Sequence, residues 1–260
     1  MPDPVVVSEV RNRSLWIRLN RPEAMNSLSP SVLKAVDKAL DEALEQADVM
    51  TVVLTGTGRA FCAGADLKYI NDQLGDRGTS GFLESVQRTT NRLDRFPKPI
   101  IAALNGLTLA GGLELVLCCD LVIAARSARI GDAHANYGLL PGGGASVRLP
   151  RTIGLTRAKY LLYTGEFVTA EEMREAGLVN RVVEDAQLEA TTQEVADLIA
   201  TKSPLGLRRM KALIDDGLDQ PEDTALRLES LASEVHTLSS DFREGLQAFE
   251  AKRPPRFTGK

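Results

Sequence analysis

The order of strand and helix signals constrains this chain more than any single residue does. The apolar segment 51–54 reads as a buried strand that stops at Gly56, and helical spacing follows over 79–96. A second strand spans 100–104, a helix opens near Gly111, and a third strand spans 121–124. Strand then helix, repeated, favours parallel strands joined by helical crossovers, an α/β architecture. Ahead of this series, apolar alternation over 5–10 and 14–19, separated by Arg11-Asn12-Arg13, predicts a hairpin ended by Asn20-Arg21-Pro22. Ser29-Pro30 then gives a helix start with proline at the first helical position. Val32, Leu33, Val36, Leu40, Ala43 and Leu44 repeat at helical spacing to about residue 47.

Past Arg151 the pattern is mostly helical, over 156–163, 169–176 and 188–201, with a further start at Ser203-Pro204. From 222 to 250 an amphipathic pattern carries Leu226, Leu228, Leu231, Val235, Leu238, Phe242, Leu246 and Phe249, a stripe that packs either on a partner subunit or on its own domain. No internal repeat or low-complexity tract divides the chain, and a soft boundary falls near Ala190.

Charge narrows the classes of partner. Across 260 residues, 31 Lys and Arg face 35 Asp and Glu, a net charge of −4, so no field gathers a nucleic-acid backbone or an anionic membrane surface. A small-molecule partner is expected. Apolar runs such as 99–104 and 113–119 fall far short of the roughly 18–20 residues that span a bilayer. The opening MPDPVVVSEV lacks the basic, apolar and cleavage regions of a secretory leader, so a cytoplasmic location is expected. Cys62, Cys118 and Cys119 are odd in number and without metal-ligand spacing, so neither a disulfide framework nor a local zinc site is expected, and all three read as buried thiols. A nucleophilic Cys62 would need His134 or His236 beside it.

Three motif-like stretches fail on inspection. Gly56-Thr57-Gly58-Arg59-Ala60-Phe61 has Phe61 where a dinucleotide fingerprint has its third glycine, and Pro141-Gly142-Gly143-Gly144-Ala145-Ser146 lacks the Lys-Ser/Thr ending of a phosphate loop. Ser31-Val32-Leu33-Lys34 fits a Ser-x-x-Lys pattern but sits inside an ordinary amphipathic helix without companion motifs.

Two turns carry the candidate chemistry. Arg59-Ala60-Phe61-Cys62-Ala63-Gly64-Ala65-Asp66-Leu67 follows a buried strand, and Asn105-Gly106-Leu107-Thr108-Leu109-Ala110-Gly111-Gly112-Leu113-Glu114-Leu115 leads from strand into helix. Small residues let a ligand touch backbone in both. A helix N-terminus offers unpaired N–H groups and a partial positive charge, and two such groups aimed at one oxygen form an oxyanion hole. Glu114 falls in the first helical turn, where the helix dipole favours its charge and its side chain could reach a substrate atom.

With Asn20-Arg21-Pro22-Glu23, Asn26-Ser27-Leu28, Lys98-Pro99-Ile100-Ile101-Ala102-Ala103, Cys119-Asp120-Leu121, Gly138-Leu139-Leu140-Pro141-Gly142 and Ala176-Gly177-Leu178-Val179-Asn180, these blocks resemble the crotonase family, also called the enoyl-CoA hydratase/isomerase superfamily, nearly end to end. The resemblance implies a spiral of ββα turns over 1–190 holding an acyl-CoA thioester, and a C-terminal helical region, 191–260, that assembles a homotrimer, often a hexamer. It also implies that the amides of Ala65 and Gly111 polarise the thioester carbonyl. Losing one such donor costs on the order of 10²–10³ in rate in related sites. Ala63, Asp66 and Leu67 would lie beside the adenine, and Arg21 and Lys68 would meet the CoA phosphates. Tyr69, Phe82, Leu83 and Tyr137 are candidate walls of the acyl pocket.

One position departs from the pattern. Hydratases of the family carry one glutamate after the Gly-Gly pair, matched by Glu114, and a second shortly before Gly-x-x-Pro-Gly, where this chain has His134. An imidazole titrating near neutral pH can replace that carboxylate as a proton carrier. The expected reaction is enoyl-CoA hydration or its reverse, without a metal or redox cofactor: Glu114 activates water, the two amides hold the enolate, and His134 moves the Cα proton. Alternatively His134 makes a structural hydrogen bond, with Asp132 or Tyr137. Other readings of the same scaffold are decarboxylation, thioester hydrolysis, isomerisation, or silent acyl-CoA binding. A serine-protease triad cannot be assembled from this sequence.

Overall fold

The computed structural model describes residues 3–73 and 80–260. The hairpin forms as predicted: β1 (Val6–Arg11) pairs antiparallel with β2 (Ser14–Leu19), with Arg11 opposite Ser14 and Asn12 at φ 52° in the turn. Helix α1 (Pro30–Glu45) begins where Ser29 Oγ accepts the Val32 amide. Its stripe buries Val32, Leu33, Val36, Ala39, Leu40 and Ala43, whereas Leu44, expected on that stripe, faces solvent.

Each following coil gives one strand to each of two sheets. The first coil is β3 (Thr51–Gly56), β4 (Ala60–Cys62), α2 (Leu67–Gln73) and α3 (Ser80–Asp94); residue 79, where sequence spacing starts the second helix, lies outside the described residues. The second is β5 (Ile100–Leu104), β6 (Leu107–Leu109) and α4 (Gly111–Val116). The third is β7 (Leu121–Ala125) and β8 (Arg129–Gly131), followed by α5 (Ala145–Ile153) and α6 (Leu155–Thr164). Then come β9 (Val168–Thr169), α7 (Ala170–Glu175), β10 (Arg181–Val183), α8 (Leu188–Ala200), α9 (Pro204–Gly217), α10 (Glu222–Thr237) and α11 (Ser240–Glu250).

The larger sheet has the order β1-β2-β3-β5-β7-β10, parallel from β2 onward, and the smaller runs β4-β6-β8-β9. The two faces of β5 explain its unbroken apolar run. Ile100, Ala102 and Leu104 enter the main core, while Ile101 and Ala103 join Trp16, Val53 and Ile123 beneath α8 residues Leu188 and Ala196. A parallel strand covered on both sides has no position left for a polar side chain. The boundary expected near Ala190 thus falls inside a helix that roofs the larger sheet.

Polar side chains from the family-like motifs tie successive coils together. Asn105 Oδ1 accepts the Gly56 amide at 3.0 Å, Asp120 Oδ2 accepts the Ile100 amide at 2.7 Å, and Asn180 Oδ1 accepts the Val122 amide at 2.7 Å. Each satisfies a buried strand-end donor that the neighbouring strand does not reach.

Several sequence expectations need correction. The stripe over 222–250 is two helices, because Ser239 caps α11 and so ends the run after α10. The short strands β4, β6, β8, β9 and β10 and helix α5 were not anticipated. Two or three residues carry no readable period, and α5 contains Pro150. Cys62 and Cys118 are buried, their thiols pushed up to about 12 chiefly by burial, but Cys119 is only partly buried.

Candidate active site

The smaller sheet brings the two small-residue turns together. After β4 the chain passes through Gly64, and after β6 it enters α4 at Gly111. A Cβ placed on Gly64 would lie 3.4 Å from the Gly111 nitrogen, and one on Gly111 would lie 3.6 Å from the Ala65 nitrogen. The turns therefore meet at van der Waals distance. Among the described residues, neither the Ala65 nor the Gly111 amide donates to any acceptor in the chain. Ala110 enters α4 at φ 49°, ψ −118°, a conformation that costs an L-residue on the order of 1–3 kcal/mol, and its own amide is held by the Gly131 carbonyl at 3.1 Å.

Glu114 lies one turn into α4 and is 2% exposed. Its Oε1 accepts the Gly143 amide at 2.7 Å and the Ala145 amide at 3.1 Å. A Cβ at position 143 would lie 2.8 Å from Oε2, so a larger residue there would displace the Glu114 carboxylate. Oε2 makes no hydrogen bond among the described residues, and it is not one of the buried unpartnered oxygens, so it keeps access to solvent space. Burial pushes the carboxyl above its ordinary value, although the Ala145 and Gly143 amides and the His134 charge pull against it. Arg148 braces this loop: it donates to the Gly143 carbonyl at 3.0 Å and pairs with Asp94 of α3 at 3.1 Å.

His134 follows β8 on a short turn entered through Ala133 at φ 61°. Its Nδ1 lies 2.9 and 3.0 Å from the two oxygens of Asp132, which is 1% exposed. Burial opposes the imidazolium, but the hydrogen bond and charge of Asp132, with the Glu114 charge, outweigh it and raise His134 above its ordinary value.

A cavity of about 460 Å³ opens at this point, walled by Ala63, Ala65, Leu109, Ala110, His134 and Phe167 among others. Arg21, Asp66, Leu67 and Lys68, predicted from sequence, also line it. Glu114 and Gly111 are not among its lining residues; they follow Ala110, which is, in α4. Arg21 and Asp66 are committed to one another at 3.0 Å, with Arg21 also held by the Ser27 carbonyl and Asp66 capping the Tyr69 amide, so their charges are largely internal. Lys68 is exposed. Of the four expected acyl-pocket walls only Tyr137 lines the cavity. Tyr69 and Phe82 pack together with ring centroids 5.8 Å apart, and Leu83 meets the Gly142 segment instead.

Sequence reasoning named Asp132 only as a structural partner and missed Gly143, Ala145 and Arg148. The Gly142-Gly143-Gly144 run was the available signal, since it marks close backbone approach, but nothing local says that Glu114 is what approaches. Among the described residues, no group of three or more His, Cys, Asp or Glu could hold a metal ion, and no helix is long and apolar enough to cross a membrane.

The chain is similar to known proteins along nearly its whole length. The enoyl-CoA hydratase/isomerase family model matches residues 10–260. A short-chain-enoyl-CoA hydratase of Clostridium acetobutylicum is 35% identical over 95% of both chains. A 1,2-epoxyphenylacetyl-CoA isomerase of Escherichia coli is 38% identical over 98% of both. The crystal structure of an enoyl-CoA hydratase from Bacillus anthracis superposes with a TM-score of 0.94 at 38% identity, covering 98% of this chain and 100% of that one.

Proposed function

The chain belongs to the enoyl-CoA hydratase/isomerase family and is a hydratase-type acyl-CoA enzyme of the crotonase fold, and from that premise we propose that it adds water across the Cα=Cβ bond of a 2-enoyl-CoA, or removes it in reverse. The observation that carries this reading is the convergence of the Ala65 and Gly111 turns beside Glu114 and His134.

The thioester oxygen sits between the two amides, which offset the negative charge that builds on it as the enolate forms. Glu114 accepts a proton from water through Oε2 while the water oxygen bonds to Cβ. The Cα=Cβ electron pair moves into the enolate, and the His134 imidazolium then delivers a proton to Cα as the thioester carbonyl reforms. Proton transfer from Glu114 to His134 through solvent returns both groups to their starting states. The nucleotide end of the thioester lies along Ala63, Asp66 and Leu67, with Lys68 as its phosphate partner and Arg21 braced by Asp66.

Assembly into a trimer or hexamer through α9, α10 and α11, and a cytoplasmic location, belong to the same reading. Crotonyl-, longer and aromatic enoyl-CoA thioesters, followed by loss of the conjugated chromophore, test it. The expected result is loss of absorbance with at least one of them, abolished by Glu114→Gln. Tight acyl-CoA binding without turnover at high enzyme concentration would replace it with a silent binding role.

A further inference from the structure

We infer that Asp132 is a positioning residue that locks His134 in a single tautomer, with the proton on Nδ1 and with Nε2 as the nitrogen that works in the cavity. The inference rests on the hydration reading above, in which His134 carries the Cα proton.

Three observations support it. A carboxylate only accepts, so with Asp132 oxygens 2.9 and 3.0 Å from Nδ1, that nitrogen carries a proton in both the neutral and the charged ring. The His134 amide also donates to Asp132 Oδ2 at 3.3 Å, so main chain and ring grip one carboxylate and the ring cannot swing away. Nε2 has no hydrogen-bond partner among the described residues and is not among the buried unpartnered polar atoms, while the side chain lines the cavity. The chain's other histidine has the opposite arrangement. Arg209 lies 3.0 Å from Nδ1 of His236, and a guanidinium only donates, so neutral His236 carries its proton on Nε2.

The consequence is chemical. In hydration, imidazolium Nε2–H gives its proton to Cα while the enolate electron pair closes the Cα–H bond and the carbonyl reforms. The neutral ring left behind keeps Nδ1–H on Asp132 and presents a bare Nε2, which is what the next proton needs. Without Asp132 the neutral ring divides between two tautomers, and the one protonated on Nε2 cannot accept. The charged groups facing His134 are Asp132 from its own segment, Glu114 from α4, and Arg21, Asp66 and Lys68 around the cavity. Helix α6, packed against the 134–137 turn, keeps Arg157, Lys159 and Tyr160 on its exposed side, with Tyr160 bound to Glu166.

The test reads ring nitrogens directly. In ¹⁵N-labelled protein above the pH at which the rings lose their charge, with His236→Gln to assign the two signals, His134 is expected to show a protonated Nδ1 and His236 a protonated Nε2. Asp132→Asn is expected to lower kcat by on the order of 10–100-fold with KM changed less than about threefold, and to move the alkaline limb of kcat to lower pH. Asp132→Glu should restore part of both. A His134 protonated on Nε2 overturns the inference on the unmodified protein, whether or not Asp132→Asn folds. So does a folded Asp132→Asn with the original kcat and pH profile while His134→Ala is inactive. If instead His134→Ala hydrates at the original rate, the reading of His134 as proton carrier falls first, and the role of Asp132 with it.

Discussion

At the residue scale two titratable groups of the candidate site sit in different environments: burial disfavours the Glu114 charge, while Asp132 and Glu114 favour that of His134. The proposed hydration would use Glu114 ionised and His134 protonated, and both are raised above their ordinary values of 4.5 and 6.5. The acid limb of the rate profile is therefore expected above the range of an ordinary glutamate, and the alkaline limb above that of an ordinary histidine. Glu114→Gln keeps an oxygen for the Gly143 and Ala145 amides but cannot take a proton, so kcat should fall on the order of 10²–10⁴-fold with acyl-CoA affinity kept. The same shift bears on stability. A histidine raised in the folded state contributes stability that is fully present below about 6.5 and lost as pH rises through the folded value. Urea midpoints of wild type minus His134→Ala should show that loss, and a flat difference would deny the pairing with Asp132. Glu114 could be singled out locally, as an early carboxylate in a helix that opens on small residues, whereas Ala65 and Gly111 were singled out by the family resemblance. Gly143 and Ala145 were not legible, since their amides reach Glu114 across about thirty positions of chain, nor was Arg148, which acts on the Gly143 carbonyl.

At the scale of elements, close crossings rather than propensity fix the architecture. A Cβ on Gly112 would lie 2.1 Å from the Cys62 carbonyl, backbone that cannot yield without separating α4 from β4. Gly112→Ala is expected to cost about 2–3 kcal/mol by urea unfolding. Gly81, where an added Cβ meets nothing within 4 Å, should tolerate alanine with little change. Helix α7 begins with a reciprocal cap, Thr169 Oγ1 accepting the Glu172 amide and Glu172 accepting the Thr169 amide, and Thr169→Ala should cost about 1 kcal/mol. Long strands and capped helices declared themselves through period and stop signals. The smaller sheet did not, because β4, β6 and β8 have three residues each and owe their existence to pairing with one another.

At the scale of the whole molecule, the amphipathic pattern past residue 222 keeps its apolar side uncovered in the single chain. Leu231 of α10 is 60% exposed and Phe249 of α11 86%, and Ile214 of the preceding α9 is 58% exposed as well. A face of that kind on three consecutive helices fits burial against further copies of the chain. Sedimentation should give three or six chains, and Leu238→Asp with Phe249→Glu should shift the population to monomers. The spiral itself was implied by the family resemblance, while parallel strands joined by helices were readable from the repeated strand and helix order. The break at Ser239 was not, because the apolar spacing runs through it unchanged.

The most direct measurement is isotopic. A turned-over enoyl-CoA, incubated with the enzyme in H₂¹⁸O and D₂O and then weighed, should carry one ¹⁸O at Cβ and one deuterium at Cα, with both labels entering on the order of 10²–10⁴-fold more slowly when Glu114→Gln is used. Release of free CoA, loss of carbon dioxide, or deuterium at Cα without oxygen at Cβ would contradict water addition through an enolate held by Ala65 and Gly111.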